Sequence, residues 1–207
     1  MATNQTGDGS TLERIRTVAV ELFSKQGYKE TSLREIADRV GIKVGSLYNH
    51  MSSKEELLFT IMHDIMQDLL ASGRAAMEAA APDPGAEIVA FMENSIRFHG
   101  ERKNETFIGN TELRALSPDR RAFVVQLRDD YERLLRGSLE RAQAEGVLEV
   151  PDVQLATFAG LAICSHVATW YDSNQRLALE EVQRLLPMAY SPVAQYLTTV
   201  EPGQTSG

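Results

Sequence analysis

Apolar residues recur every three or four positions along most of the chain, and this spacing predicts helices because it places them on one helical face. In the first such stretch, Ile15, Ala19 and Leu22 share a face and predict a helix from about 11 to 26. The same spacing predicts helices over about 32–40, 44–50, 54–80, 86–101, 104–115, 118–145, 153–171 and 178–199. No stretch alternates apolar and polar residues as a half-buried strand does, and no internal repeat is present. The predicted fold class is therefore all-α.

Short signals at the ends of these stretches support the assignment. A serine followed three residues later by a glutamate is typical of a helix start, because the pair satisfies free backbone N–H groups. Such pairs occur at Ser10 and Glu13, at Ser32 and Glu35, and at Ser53 and Glu56. Pro187 and Pro192 are expected to kink the last helix.

The stretch from 31 to 57 contains two short predicted helices separated by a turn. Gly41 is expected to end the first, and Leu47 is the inward-facing residue of the second. This is a helix-turn-helix arrangement, whose second helix lies in the major groove of DNA. Basic, hydroxyl and amide side chains on and around that helix can bind phosphates and base edges. The residues predicted to contact double-stranded DNA are Thr31, Ser32, Lys43, Val44, Gly45, Ser46, Tyr48, Asn49, His50 and Lys54.

This stretch resembles the TetR family of bacterial transcriptional regulators. The motif that carries the resemblance consists of Gly27-Tyr28, Thr31-Ser32, Ile36-Ala37, Val40-Gly41, residues 45–48 and residues 53–57. The resemblance implies an N-terminal arm and DNA-binding domain over 1–53, and a helical ligand-binding and dimerisation domain over 54–207. It also implies a homodimeric repressor that a small-molecule effector releases from its operator, although the sequence leaves repressor and activator open.

Two positions depart from the family pattern. Lys43 stands where Ser or Thr usually caps the second helix, and its ammonium cannot accept the capping bond. It can reach a phosphate or a guanine instead, which would change operator preference. Met51 stands where Phe is usual and is expected to fill the same place in the core.

The charge of the chain is divided unevenly. The net charge is −8, yet residues 1–60 carry eight basic and eight acidic residues, so the acidity lies in the remainder. A neutral head permits DNA binding through a few placed cations but not strong non-specific binding. The single cysteine, Cys164, fits a reducing cytoplasm, and the polar first ten residues, expected to be a flexible arm, lack the regions of a signal peptide. The last seven residues are expected to be a disordered tail.

A second set of residues indicates an effector pocket, mainly because the family resemblance implies one. Aromatic walls with a few polar groups suit a small molecule. The predicted ligand-binding residues are Phe91, Phe98, His99, Phe107, Asn110, Arg128, Tyr131, His166 and Trp170. Residues 112–148 and 170–182 resemble, more loosely, the TetR subgroup that regulates steroid and fatty-acid catabolism and senses coenzyme A thioesters. Arg121 and Arg128 lie seven apart and could bind an anionic end of such a ligand, or pair with Glu132 instead.

Several alternatives remain open at this point. The apolar stretch 153–171 has the length of a membrane span, but its polar content favours a helix buried against a second copy of the chain. We therefore expect no membrane association. Cys164 and His166 do not face each other on a helix, and the four histidines lack metal-ligand spacing, so no catalytic pair, metal or cofactor is predicted. The competing function is an all-helical enzyme or carrier that does not bind DNA.

Overall fold

The computed structural model describes residues 6–172, 174 and 176–200, and the residues in these ranges form helices and loops without a strand. The α-helices are α1 (Thr6–Gln26), α2 (Leu33–Val40), α3 (Val44–Leu47), α4 (Lys54–Ala80), α5 (Pro84–Glu101), α6 (Lys103–Thr111), α7 (Pro118–Ala144), α8 (Val153–Trp170), α9 (Leu179–Leu185) and α10 (Ser191–Val200). Short 3₁₀ turns occupy Leu113–Ala115 and Pro187–Ala189. The predicted all-α class is confirmed.

The two ends of the chain differ from the sequence prediction. Helix α1 begins at Thr6 rather than near residue 11, so part of the predicted arm is helical; residues 1–5, like the predicted tail, lie outside the described residues. The glycines near the start of α1 lower the helix propensity there, but they do not stop a helix that is already formed, because each added residue gains a hydrogen bond. The predicted helix 178–199 is broken rather than kinked, because Pro187 and Pro192 each lack the N–H that would continue it.

Two of the three predicted serine caps form on the side-chain oxygen, whereas the cap predicted at Ser10 is wrong because Ser10 lies inside α1. The hydroxyl of Ser32 accepts from the N–H of Glu35 at 3.1 Å, and that of Ser53 accepts from the N–H of Glu56 at 3.0 Å. The glutamates find other donors: Glu35 accepts from the amide of Gln26 at 2.9 Å, and Glu56 accepts from the backbone N–H of Ser52 at 2.5 Å. The caps thus fix the starts of α2 and α4 as the sequence indicates.

The residues cluster into two compact units, each with its own core. The first unit comprises the chain up to Ile65 together with Asn104–Val124, and its fully buried side chains include Phe23, Ile36 and Leu58. The second unit comprises Met66–Lys103 and the chain from Val125 onward. The predicted boundary at residue 53 separates a DNA-binding part from an effector-binding part, and it remains a prediction.

The second unit is built around α5, which packs against α8, α9 and α10. Phe91, Met92 and Ile96 are fully buried on α5. Close packing is visible at Gly85, where an added Cβ would lie 2.1 Å from the ring of Tyr196. Such a small residue lets α10 lie directly on the first turn of α5, where the hydroxyl of Tyr196 donates to Asp83 at 2.7 Å.

Candidate functional site

Helices α2 and α3 present the predicted DNA-contacting residues. α2 buries Ile36, Ala37 and Val40, and it ends where Gly41 adopts a left-handed conformation with φ of 80°. The N–H of Gly41 then donates back to the carbonyl of Ala37 at 2.9 Å, which closes the helix. After the turn, α3 buries Leu47 against this core. The opposite side of α3 is consequently left to solvent.

Half of the predicted DNA-contacting residues are exposed, and four of these five lie in or beside α3. Ser32, Lys43, Gly45, Tyr48 and Asn49 are exposed, with Tyr48 56% exposed although it is aromatic. Val44, Ser46, His50 and Lys54 are half-buried. An exposed tyrosine beside amide and basic groups is a chemically suitable surface for phosphates and base edges.

Lys43 immediately precedes α3 and keeps its charge in solvent. Its side chain makes no capping hydrogen bond, as the sequence predicts, and its carbonyl accepts from the N–H of Ser46 at 2.8 Å. The exposed ammonium therefore adds a mobile positive charge at the start of the helix. Met51, the other departure from the family pattern, is buried in the core as expected.

Lys54 has a different environment from Lys43. Its Nζ donates to the carbonyls of Thr31 at 2.7 Å, Tyr28 at 2.8 Å and Lys29 at 3.4 Å. It also lies 4.3 Å from the centroid of the Tyr28 ring. Burial lowers the pKa of this lysine from its ordinary value, although nearby carboxylates oppose the shift. The side chain therefore ties the loop between α1 and α2 to the start of α4.

Thr31 also stabilises this loop. Its side chain is almost completely buried, and its hydroxyl donates to the carbonyl of Gly27 at 2.9 Å while accepting from Gln26 at 3.2 Å. Sequence spacing does not reveal Lys54 as a loop anchor, since its partners lie 23 to 26 residues earlier in the chain. Contact with DNA remains a prediction for both Thr31 and Lys54.

A buried polar cluster lies in the second unit, formed by Ser95 and His99 of α5, Tyr131 of α7 and Cys164 of α8. Nδ1 of His99 lies 2.8 Å from the carbonyl of Ser95 and 3.5 Å from its hydroxyl. Ser95 interacts with both Tyr131 and Cys164, and the Cys164 thiol is 3.9 Å from the carbonyl of Met92. Three of the helices of this unit thus each contribute a polar group to one buried place.

Burial keeps the titratable members of this cluster uncharged. It raises the pKa of Cys164 to about 12 and raises the pKa of Tyr131 still further, while it lowers the pKa of His99 despite the bond to Ser95. The hydroxyl of Tyr131 is fully buried and has no hydrogen-bond partner among the described residues. The cluster is therefore neutral and contains an unsatisfied donor.

The structure unites part of the predicted pocket and separates the rest. Phe91 and Phe98 are buried with His99 and Tyr131 in the second unit, and the Phe91 and Tyr131 rings are 4.7 Å apart. The remaining members are half-buried Arg128, exposed His166 and exposed Trp170 in the same unit, and half-buried Phe107 and exposed Asn110 in the first unit. The sequence predicts no role for Cys164 in the pocket, and its spacing from Tyr131 gives no sign that the two side chains meet.

Helix α8 exposes an unusual amount of apolar surface. Leu155 is 67% exposed and Phe158 is 48% exposed, and Ala162 lies on the same face. A groove of about 440 Å³ runs beside this face, lined by Val150–Asp152, several α8 residues including Leu155 and Ile163, and residues 189–192. By length and composition α8 is also, within the described part of the chain, a helix that could cross a membrane, a test that helices of soluble proteins also pass.

Comparison with protein-family models identifies both parts of the chain. The model for bacterial regulatory proteins of the tetR family matches residues 15–61, and the model for the tetracyclin repressor-like C-terminal domain matches residues 81–187. The chain belongs to the TetR family. It is a DNA-binding transcriptional regulator and not an enzyme, so the sequence prediction of function is confirmed and the competing enzyme hypothesis is wrong.

Several relatives of this TetR-family chain match it over nearly its whole length. The HTH-type transcriptional repressor KstR2 of Rhodococcus jostii is 27% identical over 99% of this chain and 96% of its own. The crystal structure of PfmR from Thermus thermophilus superposes with a TM-score of 0.78 at 32% identity, covering 86% of this chain and 97% of that one. AibR, solved with isovaleryl coenzyme A and operator DNA, shares the fold with a TM-score of 0.80 at 24% identity, covering 88% of this chain and 98% of its own.

Proposed function

We propose that this TetR-family regulator is a cytoplasmic repressor that binds operator DNA as a homodimer and leaves it when a small-molecule effector binds. The observation that carries the DNA-binding part is the set of exposed residues directly before and after α3, Lys43, Tyr48 and Asn49, within a helix-turn-helix that matches the family model. Relatives of nearly equal length named as repressors support the direction of regulation. Residues 1–53 would bind the operator and residues 54–207 would bind the effector and the second subunit.

Operator binding is tested with DNA flanking the coding region of the chain itself. A dimer should protect a near-palindrome whose half-site centres are about one helical turn, or a simple multiple, apart. Replacing Tyr48 by Ala should weaken binding by about 1–3 kcal/mol, because the exposed ring is placed to contact a base or phosphate. Phe123→Ala, which removes a ring that is 50% exposed elsewhere in the first unit, is the matched control. Equal affinity of the two variants would contradict the assignment of α3.

Dimerisation is assigned to α8 together with α9 and α10. Leu155, Phe158 and Met188 are each nearly half exposed or more, and a stable dimer interface resembles a protein core cut in half. Replacing exposed Ala162 or half-buried Leu186 by Arg should yield monomers or aggregates. Replacing exposed Ala144, at the end of α7, by Arg is the matched control and should leave the sedimentation coefficient unchanged. If both interface variants sediment as stable dimers, the interface lies elsewhere.

The effector is proposed to be an acyl- or steroid-coenzyme A thioester. The isovaleryl coenzyme A of the fold relative AibR supports this class, as does the looser resemblance of residues 112–148 and 170–182 to the subgroup that senses coenzyme A thioesters. The buried aromatic residues around Tyr131 suit an apolar acyl group, whereas half-buried Arg128, one turn away on α7, suits an anionic one. Glu132, a possible partner for the arginines of α7, already pairs with Arg136 at 3.0 Å.

Titration calorimetry separates the thioesters from simpler ligands. Acyl-coenzyme A compounds are titrated in parallel with the matching free acids. A dissociation constant above about 100 µM in both series, which corresponds to a binding free energy of only roughly 5–6 kcal/mol, would exclude both classes of effector. A smaller neutral or aromatic ligand would then replace them. DNA titrated into the thioester-loaded dimer should bind more weakly by the same factor by which DNA weakens thioester binding.

The contact between Tyr131 and α4 suggests how effector binding changes DNA binding. A Cβ added at Gly73 would lie 3.1 Å from the Tyr131 ring, so the ring rests directly on α4. The side chains around Tyr131 are buried, and an effector that reaches it must move helices apart. Because α4 begins at Lys54 beside the DNA-binding helices, displacement of its second half is the change that would alter operator binding.

A further inference from the structure

The hydroxyl of Tyr131 is a buried hydrogen-bond donor that meets no acceptor at good hydrogen-bond geometry, although the Ser95 hydroxyl lies beside it. The residue is 5% exposed, and its hydroxyl is buried without a partner among the described residues. An unsatisfied buried polar group destabilises a protein, so such a group is normally paired with a bound water or with a ligand. By contrast, Tyr190, another buried tyrosine of this unit, donates to the carbonyl of Ala156 at 2.7 Å.

The ring of Tyr131 is held in place although its hydroxyl is not. Phe91 packs 4.7 Å away, centroid to centroid, at an interplanar angle of 33°. Gly73 leaves room for one edge of the ring, since even a single added carbon would approach it to 3.1 Å. The hydroxyl therefore has a fixed position beside Ser95 and Cys164, and a fixed donor is what a binding site for a specific acceptor requires.

The groups around this donor determine which acceptor fits. A carbonyl oxygen can only accept, so the 2.8 Å contact shows that Nδ1 of His99 donates to Ser95, and burial keeps this imidazole neutral by lowering its pKa. The Ser95 hydroxyl lies 3.5 Å from the same nitrogen and beside the Tyr131 hydroxyl and the Cys164 thiol, and its proton can turn to a ligand oxygen that enters between them. The cluster thus offers two neutral donors and no cation, and an unpaired carboxylate buried there would be costly.

We propose that Tyr131, with Ser95 as a second donor, binds an uncharged carbonyl oxygen of the effector. The buried part of the effector is accordingly a ketone, an ester or the carbonyl of a thioester on an apolar body, and not a free carboxylate. This inference rests on the effector site proposed above. It adds the chemical group that the site recognises and the residue that recognises it.

The test uses pairs of probes that differ by this oxygen. Octanoyl-coenzyme A is titrated against S-octyl-coenzyme A, a thioether that lacks the carbonyl, and methyl octyl ketone is titrated against methyl octyl sulfide, in which sulfur replaces the carbonyl group. We expect the full-length protein to bind the thioester and the ketone about tenfold more tightly than their counterparts. Tyr131→Phe should remove that preference and should not lower the melting temperature of the free protein, because it deletes an unsatisfied group.

Tyr190→Phe is the control, since it also deletes one buried phenol but breaks an existing hydrogen bond. It should lower the melting temperature and keep the preference for the carbonyl probes. If the ketone binds in a way that depends on Tyr131 and no thioester binds, the proposed coenzyme A effector is wrong and the carbonyl site at Tyr131 is supported. Equal loss of affinity for probes with and without the oxygen, an unchanged preference in Tyr131→Phe, or no binding of any carbonyl probe would overturn it.

Discussion

The contrast between Lys54 and Lys43 gives the sharpest test of how this protein binds DNA. Both are basic residues next to α3, and sequence reasoning assigned both to the operator. In the structure the Lys54 ammonium donates to the carbonyls of Thr31 and Tyr28, whereas the Lys43 side chain is exposed. We expect Lys54→Met to act on the stability of the first unit and Lys43→Met to act on DNA binding.

The contacts of Lys54 set the size of its effect. Hydrogen bonds to a charged group contribute about 1.5–3 kcal/mol each, but this side chain is half-exposed and solvent reduces each to about 1 kcal/mol. The contact with the Tyr28 ring at 4.3 Å adds about 0.5–1 kcal/mol. Lys54→Met should therefore lower the free energy of unfolding by about 2–3 kcal/mol. Lys43→Met should change it by less than about 0.5 kcal/mol, as is usual for exposed sites.

The DNA assay is a series of gel-shift titrations at increasing salt. Each lost phosphate contact reduces the slope of log K against log salt by about 0.9, so a dimer with one contact per head loses about 1.8. Lys43→Met should show this reduction, and Lys54→Met should keep the wild-type slope at a temperature where it is folded. A reduced slope for Lys54→Met, or an unchanged slope for Lys43→Met, would refute the separation of roles.

Two further predictions concern a turn and a buried imidazole. Gly41→Ala should lower the free energy of unfolding by about 1–2 kcal/mol, because φ is 80°; the cost is purely conformational, since no atom lies near the added Cβ. Gly45→Ala should leave the free energy of unfolding in urea nearly unchanged, and it should weaken operator binding if the backbone approaches DNA. Below its ordinary pKa of about 6.5, His99 takes up a proton in the unfolded chain before the folded one, so wild-type stability should fall as the pH drops below about 6.5 and should fall less in His99→Gln. Thermal unfolding at several pH values measures this difference, and equal slopes would contradict it.

Most of the architecture followed from local sequence. Apolar residues three and four apart define one helical face whatever the rest of the chain does, and Ser32, Ser53 and Gly41 act on backbone groups within a few residues. The helix-turn-helix is made of such short-range signals, which is why the family could be predicted from it. The predicted start of α1 was wrong, because the balance between a weak helix former and a growing helix depends on hydrogen bonds that propensity does not count. The prolines of the last helix were predicted to kink it, and they break it because each lacks a backbone N–H.

Tertiary structure decided what the polar side chains do. The ammonium of Lys54 is fixed by carbonyls 23 and 26 residues away, and the hydroxyl of Tyr131 is surrounded by residues from three other helices. His166 and Trp170, assigned to the pocket by residue type, lie on an exposed face because the opposite face of α8 is covered by α5. Sequence spacing determines which face of a helix is buried, but the partner of each polar group depends on which helices pack together, and the long-range contacts of the folded chain determine that.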